Sequence, residues 1–456
     1  MRIRRSLVAA AAVAVACTAG SAAPASAAAV GGGGASFLAN MMDICAAQYN
    51  RNTAFNTGSD TVTYASVGSS SGKSGFANGT YKFGGSESAY SSGTAPANLV
   101  YIPLVGGPIA IGYRIDGLSP ATATVRLSGE VIAKIFAGQI KNWNDPAIAA
   151  LNKGSTTAKK LKVSKLGVTV TAKKVASNVQ LALTMTAAAA KKYKNAKVTI
   201  SASTIGKDTE SVLSQKYTKR ITKNVAYAAN TTYSVNVGRN AIGTLAVETV
   251  KDGDTITFPD LAIRVVHRSD GSGTTNNFAN YLNKSFPSIW TKATSDTFSS
   301  AFPGTVPTDG SFQSARGNEG LSNYVRDNNG AITYAELSFL DERNVKHATV
   351  LNPGGRYVDP SPTTSAVWFE GADVSAEGLV SQNFAYNAPD AYPINAISYG
   401  LASSAASTDM ANVKRYFSYF LNQCAPKSAA AAGYTPLTGA ILTKAQAQLA
   451  KLNGGA

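Results

Sequence analysis

The stretch Val265-Val266-His267-Arg268-Ser269-Asp270-Gly271-Ser272-Gly273-Thr274-Thr275-Asn276-Asn277-Phe278 decides how this chain is read. A β-branched run over 263–266 predicts a buried strand, residues 270–273 break it, and Phe278, Tyr281 and Leu282 open a helical pattern. Strand, glycine turn and helix start together suit an anion. The first N–H groups of a helix lack partners within it, carry partial positive charge and point at whatever sits at that end. Gly271 and Gly273 let the backbone come close, while Ser272, Thr274 and Thr275 add hydroxyl donors. Arg268 adds a planar cationic fork. The same residues also suit ordinary helix capping, so this stretch alone leaves both readings open.

The pattern recurs along the chain. Val30-Gly31-Gly32-Gly33-Gly34-Ala35-Ser36-Phe37 reads as a glycine turn into a helix over 37–49, with Ser36 at the cap. A strand over 61–65 runs into Val67-Gly68-Ser69-Ser70-Ser71-Gly72, and Phe83-Gly84-Gly85-Ser86-Glu87 reads as a further polar turn that carries a carboxylate. Three hydroxyl-bearing glycine turns, an arginine and an acid are more than capping alone needs. Strands are expected over 99–104 and 109–113. A helix capped by Ser128 follows, with Val131, Ile132, Ile135 and Phe136 inward and Gly138 closing it. Beyond residue 258 come a helix from Gly317 toward Val325, a strand over 331–335, a mixed region over 341–390, a late strand over 392–399 and a helix around 413–421.

With 456 residues, 15% charged and 44% hydrophobic, the chain is long enough for two or three folded domains and too apolar to be disordered. Arg2, Arg4 and Arg5 before an apolar run over 7–16, then Ala25-Ser26-Ala27, predict a secretory signal over 1–27. Arg4-Arg5 also fits a twin-arginine signal, and Cys17 after Ala14-Val15-Ala16 would fit a lipid-modified N-terminus with a poor lipobox. Cys45 and Cys424 remain after cleavage, each on an apolar helical stripe. An oxidising compartment favours a disulfide between them; two buried thiols are the alternative.

Residues 153–258 differ from the rest. Runs such as Val168-Thr169-Val170-Thr171 and Val198-Thr199-Ile200-Ser201 predict half-buried antiparallel strands. Over 153–252 there are eighteen Lys and Arg against four Asp and Glu, a balance of +14 out of +16 for the chain. The basic character belongs to this one segment. It is either a solvated surface or a contact for an anionic partner such as wall polymer, lipid headgroups or extracellular nucleic acid.

Taken in order, the motifs resemble those of the phosphate-binding proteins of bacterial phosphate ABC transporters. Gly32-x-Gly34-Ala35-Ser36-Phe37, Gly68-Ser69-Ser70 and Leu127-Ser128-Gly129 come first. The run Ile135-Phe136-Ala137-Gly138-Gln139-Ile140-Lys141-Asn142-Trp143-Asn144-Asp145 follows, then Arg268-Ser269-Asp270-Gly271-Ser272-Gly273-Thr274. Gly317-Asn318-Glu319-Gly320, Gly330-Ala331-Ile332-Thr333-Tyr334 and Tyr392-Pro393-Ile394 close the series, so the likeness spans 30–152 and 258–421. It implies an α/β, two-lobed periplasmic-binding-protein-like fold of type II, with a hinge and an extra β-rich module. The expected division is a first lobe from 28–112 and 392–456, a second from 113–152 and 259–391, and the insertion over 153–258. The implied phosphate ligands are the hydroxyls of Ser36, Ser69, Ser272 and Thr274, the N–H groups of Phe37 and Gly273, the Arg268 guanidinium and the Glu87 carboxylate. Asp270 matches the acid that orients the arginine. Ser36 and Glu87 stand where the family usually has threonine and aspartate. The carboxylate would take the proton that hydrogen phosphate carries and repel sulfate, which has none to share.

The first functional expectation is therefore a secreted, monomeric binding protein that captures inorganic phosphate for an ABC permease, without a cofactor. The alternative is a surface- or wall-associated protein with altered or lost phosphate selectivity, in which 153–258 contacts an anionic envelope polymer. An enzyme fits poorly. Ser272, His267 and Asp270 are close in sequence, but a short turn does not place an imidazole between serine and acid, and no Gly-x-Ser-x-Gly elbow surrounds the serine. Two histidines in the whole chain offer no metal-ligand spacing.

Overall fold

The apolar residues on either side of Gly106-Gly107-Pro108 form one strand, Leu99–Tyr113, where the sequence suggested two; every residue of it except Leu99 is buried. Its first ten residues pair antiparallel with Asn395–Ser403, and its last five with Ala331–Glu336. Pro108 sits where the partner changes, a place where a missing N–H is tolerated. This strand carries the chain from the sheet of one lobe into that of the other. The computed structural model describes residues 29–453 apart from 158, 205–208, 218–219, 229–230, 248–249 and 253; the expected signal over 1–27 and Cys17 lie outside them.

Among the described residues the main sheet has nine strands. In the first lobe Thr61–Ser66, Ala29–Gly34 and Phe83–Ser86 run parallel and meet Asn395–Ser403. In the second lobe Phe312–Ala315, Arg264–Arg268 and Ala331–Glu336 run parallel. Strands emerging in parallel into helix starts place the helix N-termini at one end of each sheet, where ligands of such folds bind. Here those helices are Ala39–Asn50 and Ser69–Ala77 in the first lobe and Gly273–Ser285 and Gly317–Asp327 in the second.

Two expected turns are strands. Residues 30–34 and 83–86 are extended because their glycines leave room for neighbouring rings. A Cβ on Gly32 would lie 2.1 Å from the Phe83 ring, and one on Gly33 2.4 Å from that of Tyr81. Here glycine marks close packing rather than a turn. Ser36 is likewise not the cap of the following helix, whose N-cap is Leu38. Ser128 does cap Gly129–Phe136, accepting from the Val131 N–H, and Gly138 follows with positive φ.

The first lobe also draws on the C-terminal helices. Cys45 on Ala39–Asn50 is joined to Cys424 by a disulfide with Cα atoms 5.7 Å apart. Tyr416 and Tyr49 pack edge to face beside it. The bridge ties segments 379 residues apart.

Residues 155–252 form a module with its own hydrophobic core, centred on Val168, Val170, Leu181, Leu183, Val198, Ile200 and Val235. Two four-stranded antiparallel sheets make it, Glu210–Lys216, Lys197–Thr204, Thr231–Val237, Asn240–Ala246 in one and Ile221–Ala226, Asn178–Met185, Val168–Val175, Lys162–Lys165 in the other. Strict alternation buries one side chain in two, as in Thr231–Val237. A short pairing of Ser155–Thr157 with Val250–Asp252 forms its root. Ile256 and Phe258 belong to the main core instead, and Phe258 stacks on Trp143 with centroids 6.4 Å apart.

Candidate functional site

Arg268 ends the strand Arg264–Arg268 and is 2% exposed. Its Nε donates to Asp270 Oδ1 at 2.7 Å, and its Nη2 bonds Asp270 Oδ2. Burial pushes the Asp270 carboxyl up. The hydrogen bond and charge of Arg268, with the Gly317 N–H at 3.1 Å, outweigh it and hold that carboxyl below its ordinary value. The acid therefore stays ionised and fixes the guanidinium plane.

After the break at 270–271, Ser272 caps the helix Gly273–Ser285 by accepting from the Thr275 N–H at 3.1 Å. The Gly273 N–H donates to Ser69 Oγ at 3.0 Å, across from the first lobe. A Cβ on Gly273 would lie 2.8 Å from the Glu87 backbone nitrogen, so the approach of the two lobes needs glycine there. Thr274 is fully buried, and its hydroxyl has no hydrogen-bond partner. Thr275 is turned away, sharing a hydrogen bond with the Tyr334 hydroxyl at 2.7 Å.

From the first lobe, Ser69 Oγ donates to Glu87 Oε2 at 3.1 Å and Ser398 Oγ to Oε1 at 2.8 Å. Burial raises the Glu87 carboxyl to about 7, although both serines and Arg268 pull it down. Ser36 Oγ accepts from the backbone N–H of Asn318 and from its side-chain amide, both at 3.1 Å. Phe37 lies in the turn that the Ala39 N–H closes onto Ser36 O, and its carbonyl accepts from the Tyr434 hydroxyl at 2.6 Å. Ser36, Ser69, Glu87, Arg268, Ser272, Gly273 and Thr274 are thus brought to the junction of the two lobes and buried there. Asp270 stands behind the arginine.

The sequence reading missed four residues of this junction. Asn318 holds Ser36 and lies inside a quoted glycine motif, so the signal was present without a role attached. Asn277 donates to Glu87 O at 2.7 Å from one turn into the Gly273 helix. Ser398 is a single hydroxyl on an apolar strand. Asp296, in a polar loop without pattern, accepts from Ser70 Oγ at 2.9 Å and Ser88 Oγ at 3.1 Å and pairs with Lys73 Nζ at 2.9 Å.

The alternative use of the same turn as a catalytic triad fails on geometry. The His267 ring stacks on Phe298 with centroids 4.2 Å apart and is 3.0 Å by Nδ1 from Arg268 O, while Ser272 Oγ is engaged as a cap. What the junction offers is a set of fixed donors, one guanidinium and one carboxyl of tunable charge. Such a set has the chemistry to receive an oxyanion.

A family model described as "PBP superfamily domain" matches residues 19–258 and 156–423. Among curated proteins, the phosphate-binding protein PstS of Xylella fastidiosa is 24% identical over 342 residues, covering 75% of this chain; the chain spans 62% of that relative's length. A high affinity periplasmic phosphate-binding protein (PfluDING), solved with bound phosphate, superposes with a TM-score of 0.55 at 18% identity, over 92% of this chain and 93% of its own. The phosphate-binding protein from Stenotrophomonas maltophilia gives 0.51 at 19%, with the same coverage. At such identities the structural likeness shows the fold.

Proposed function

The chain belongs to the PBP superfamily domain family, and from that premise we propose that it captures inorganic phosphate between its two lobes for delivery to an ABC-type importer. The observation that carries this is the meeting of Arg268, ordered by Asp270, with the hydroxyls of Ser36, Ser69, Ser272 and Thr274 and the Glu87 carboxyl at one buried junction. The names of the relatives and of the solved neighbours support it. The N–H groups of Phe37 and Gly273 would complete the donor set, the latter exchanging its Ser69 Oγ partner for the anion. Spreading the anion's charge over many neutral dipoles lets one arginine suffice, and closure removes competing water. The work is binding rather than catalysis, and it takes place outside the cytoplasm after loss of the 1–27 leader. Among the described residues no helix is long and apolar enough to cross a membrane. The basic module is assigned to an anionic partner in the envelope, separate from the anion site.

Glu87 sets the selectivity. Because its carboxyl titrates near 7, above that pH it is an acceptor that matches the proton of hydrogen phosphate and repels sulfate. Below it the carboxyl is protonated, becomes a donor, and tolerates sulfate. The test is a thermal-shift panel on the mature chain. At pH 8 phosphate raises the melting temperature and sulfate does not; at pH 6 the gap between the two narrows. Ligand at about a hundred times its Kd adds about 2.7 kcal/mol, well above detection. Melting that ignores phosphate at every pH overturns the reading, and an unchanging gap overturns the role of Glu87.

A further inference from the structure

Seven cations of the inserted module, Lys165, Lys191, Lys192, Lys194, Lys197, Lys216 and Arg239, gather at one end of it. The root pairs Ser155–Thr157 with Val250–Asp252, and Lys160 bridges to Ala246, so that end faces the body of the protein. From there the strands run outward. Lys162–Lys165 climbs to a two-residue hairpin at Leu166 and Gly167, and Asn240–Ala246 begins at the same far end, after the turn at Gly238 and Arg239. Lys197 and Lys216 are also at that end, directly opposite each other in the ladder, with Val198 facing Val237 next to them. The short helix Ala187–Lys192 covers it, its Thr186 N–H bound to Gly167 O. A strand of eight residues at about 3.3 Å each sets this tip roughly 25 Å beyond the root.

Lys165, Lys191, Lys192, Lys194, Lys197 and Arg239 are all exposed there. No Asp or Glu occurs in the described segments that form the tip, residues 162–167, 185–198, 214–217, 220–222 and 236–241. Glu210 pairs with Ala202 at the opposite end, and Asp252 is in the root. Like charges facing each other across a ladder, as Lys197 and Lys216 do, cost stability.

The tip also carries an apolar knob. Leu166 is 49% exposed and has φ of 55°, with Gly167 at 74°. Two positive-φ residues in a two-residue hairpin favour Asn-Gly; a leucine there is both strained and unburied. Ala187 and Ala188 beside it are exposed as well. The tyrosines of this end, Tyr193 and Tyr217, are buried, which leaves no exposed ring here for stacking nucleic-acid bases.

We propose that this distal tip docks on an anionic lipid surface, with Leu166 entering the headgroup layer and the surrounding lysines meeting lipid phosphates. The proposal extends the anionic-partner part of the function above and rests on it. A soluble polyanion needs the lysines but has no use for an exposed leucine; a bilayer uses both. Docking there would hold the cleaved, otherwise soluble capture protein beside a membrane-embedded importer.

The experiment is co-sedimentation of the mature full-length chain with phosphatidylcholine vesicles, with and without phosphatidylglycerol, alongside phosphate-induced thermal shift on the same samples. Binding is expected only with phosphatidylglycerol, weakening as salt rises. Each cation at an anionic bilayer contributes about fivefold, so replacing Lys191, Lys192, Lys194 and Lys197 together by Gln lowers partitioning by about a hundredfold or more. Leu166→Asn suits the turn better than leucine, so the fold is kept or stabilised while vesicle binding falls about tenfold. Equal binding to both vesicle types overturns the proposal. So does a Leu166→Asn variant that binds like wild type while the lysine variant does not, which would point to a polyanion such as wall polymer. Phosphate stabilisation stays intact in both variants; its absence in wild type together with normal vesicle binding would strike the capture reading and leave the docking standing.

Discussion

Burying the Thr274 hydroxyl without a partner costs about 1–3 kcal/mol, at a fully enclosed position one residue beyond Gly273. In the proposed capture the bound anion supplies the missing partner. Thr274→Val keeps the shape and removes the oxygen. It should raise the stability of the ligand-free protein by about 1 kcal/mol and weaken phosphate binding about tenfold. Chemical denaturation and a binding titration read the two effects; equal signs, or no change in either, would contradict the assignment. The same residue shows what single positions disclose. Its hydroxyl in a glycine turn was legible as a donor, but so was that of Thr275, which the fold turns toward Tyr334 instead. Only the helix phase separates them. Ser272 caps its helix by accepting from the Thr275 N–H, which leaves its own hydroxyl proton for the ligand role proposed for it.

Asp296 joins elements rather than lining the site. One carboxylate oxygen takes Ser70, Ser88 and Lys73 from the first lobe, the other takes Asn276 from the Gly273 helix, and its carbonyl takes the Ser272 N–H. It therefore fastens the start of that helix to the opposite lobe in the closed arrangement. Its ion pair is largely shielded, with both side chains 13% exposed, so it is worth more than a surface pair. Asp296→Asn should speed phosphate release about threefold to tenfold, seen by stopped-flow, while the ranking of phosphate over sulfate holds. A changed ranking at an unchanged release rate would place Asp296 in recognition instead. Among elements, the helices announced by caps and apolar spacing, Gly129–Phe136 and Gly273–Ser285, were readable directly. The strands at 29–34 and 83–86 were not, because local glycine content argues for turns while the rings of Phe83 and Tyr81 decide otherwise from a distance. The interlobe partners Asp296 and Ser398 have no local signal at all; pairing over 208 and 311 residues creates their roles.

At the scale of the molecule, charge and anion recognition are separated. The closed junction between the lobes holds one orienting arginine, whereas the module that carries +14 over 153–252 has its own core and reaches the body through a short strand pair. The alternating valines and threonines made that module visible in the sequence, and its lysine excess set it apart. Where its cations gather was not visible, because Lys165, Lys197, Lys216 and Arg239 meet only once the two sheets are paired. Everything proposed for the junction depends on Arg268, held by Asp270, anchoring a captured phosphate. Calorimetric titration of phosphate into the mature wild-type chain and into Arg268→Ala at pH 8 tests it most directly. Saturable one-to-one binding is expected in the wild type, weakened in the variant by at least about 1.5–3 kcal/mol, a tenfold to hundredfold loss. Absent heat in the wild type, or equal affinity in the two proteins, would contradict it.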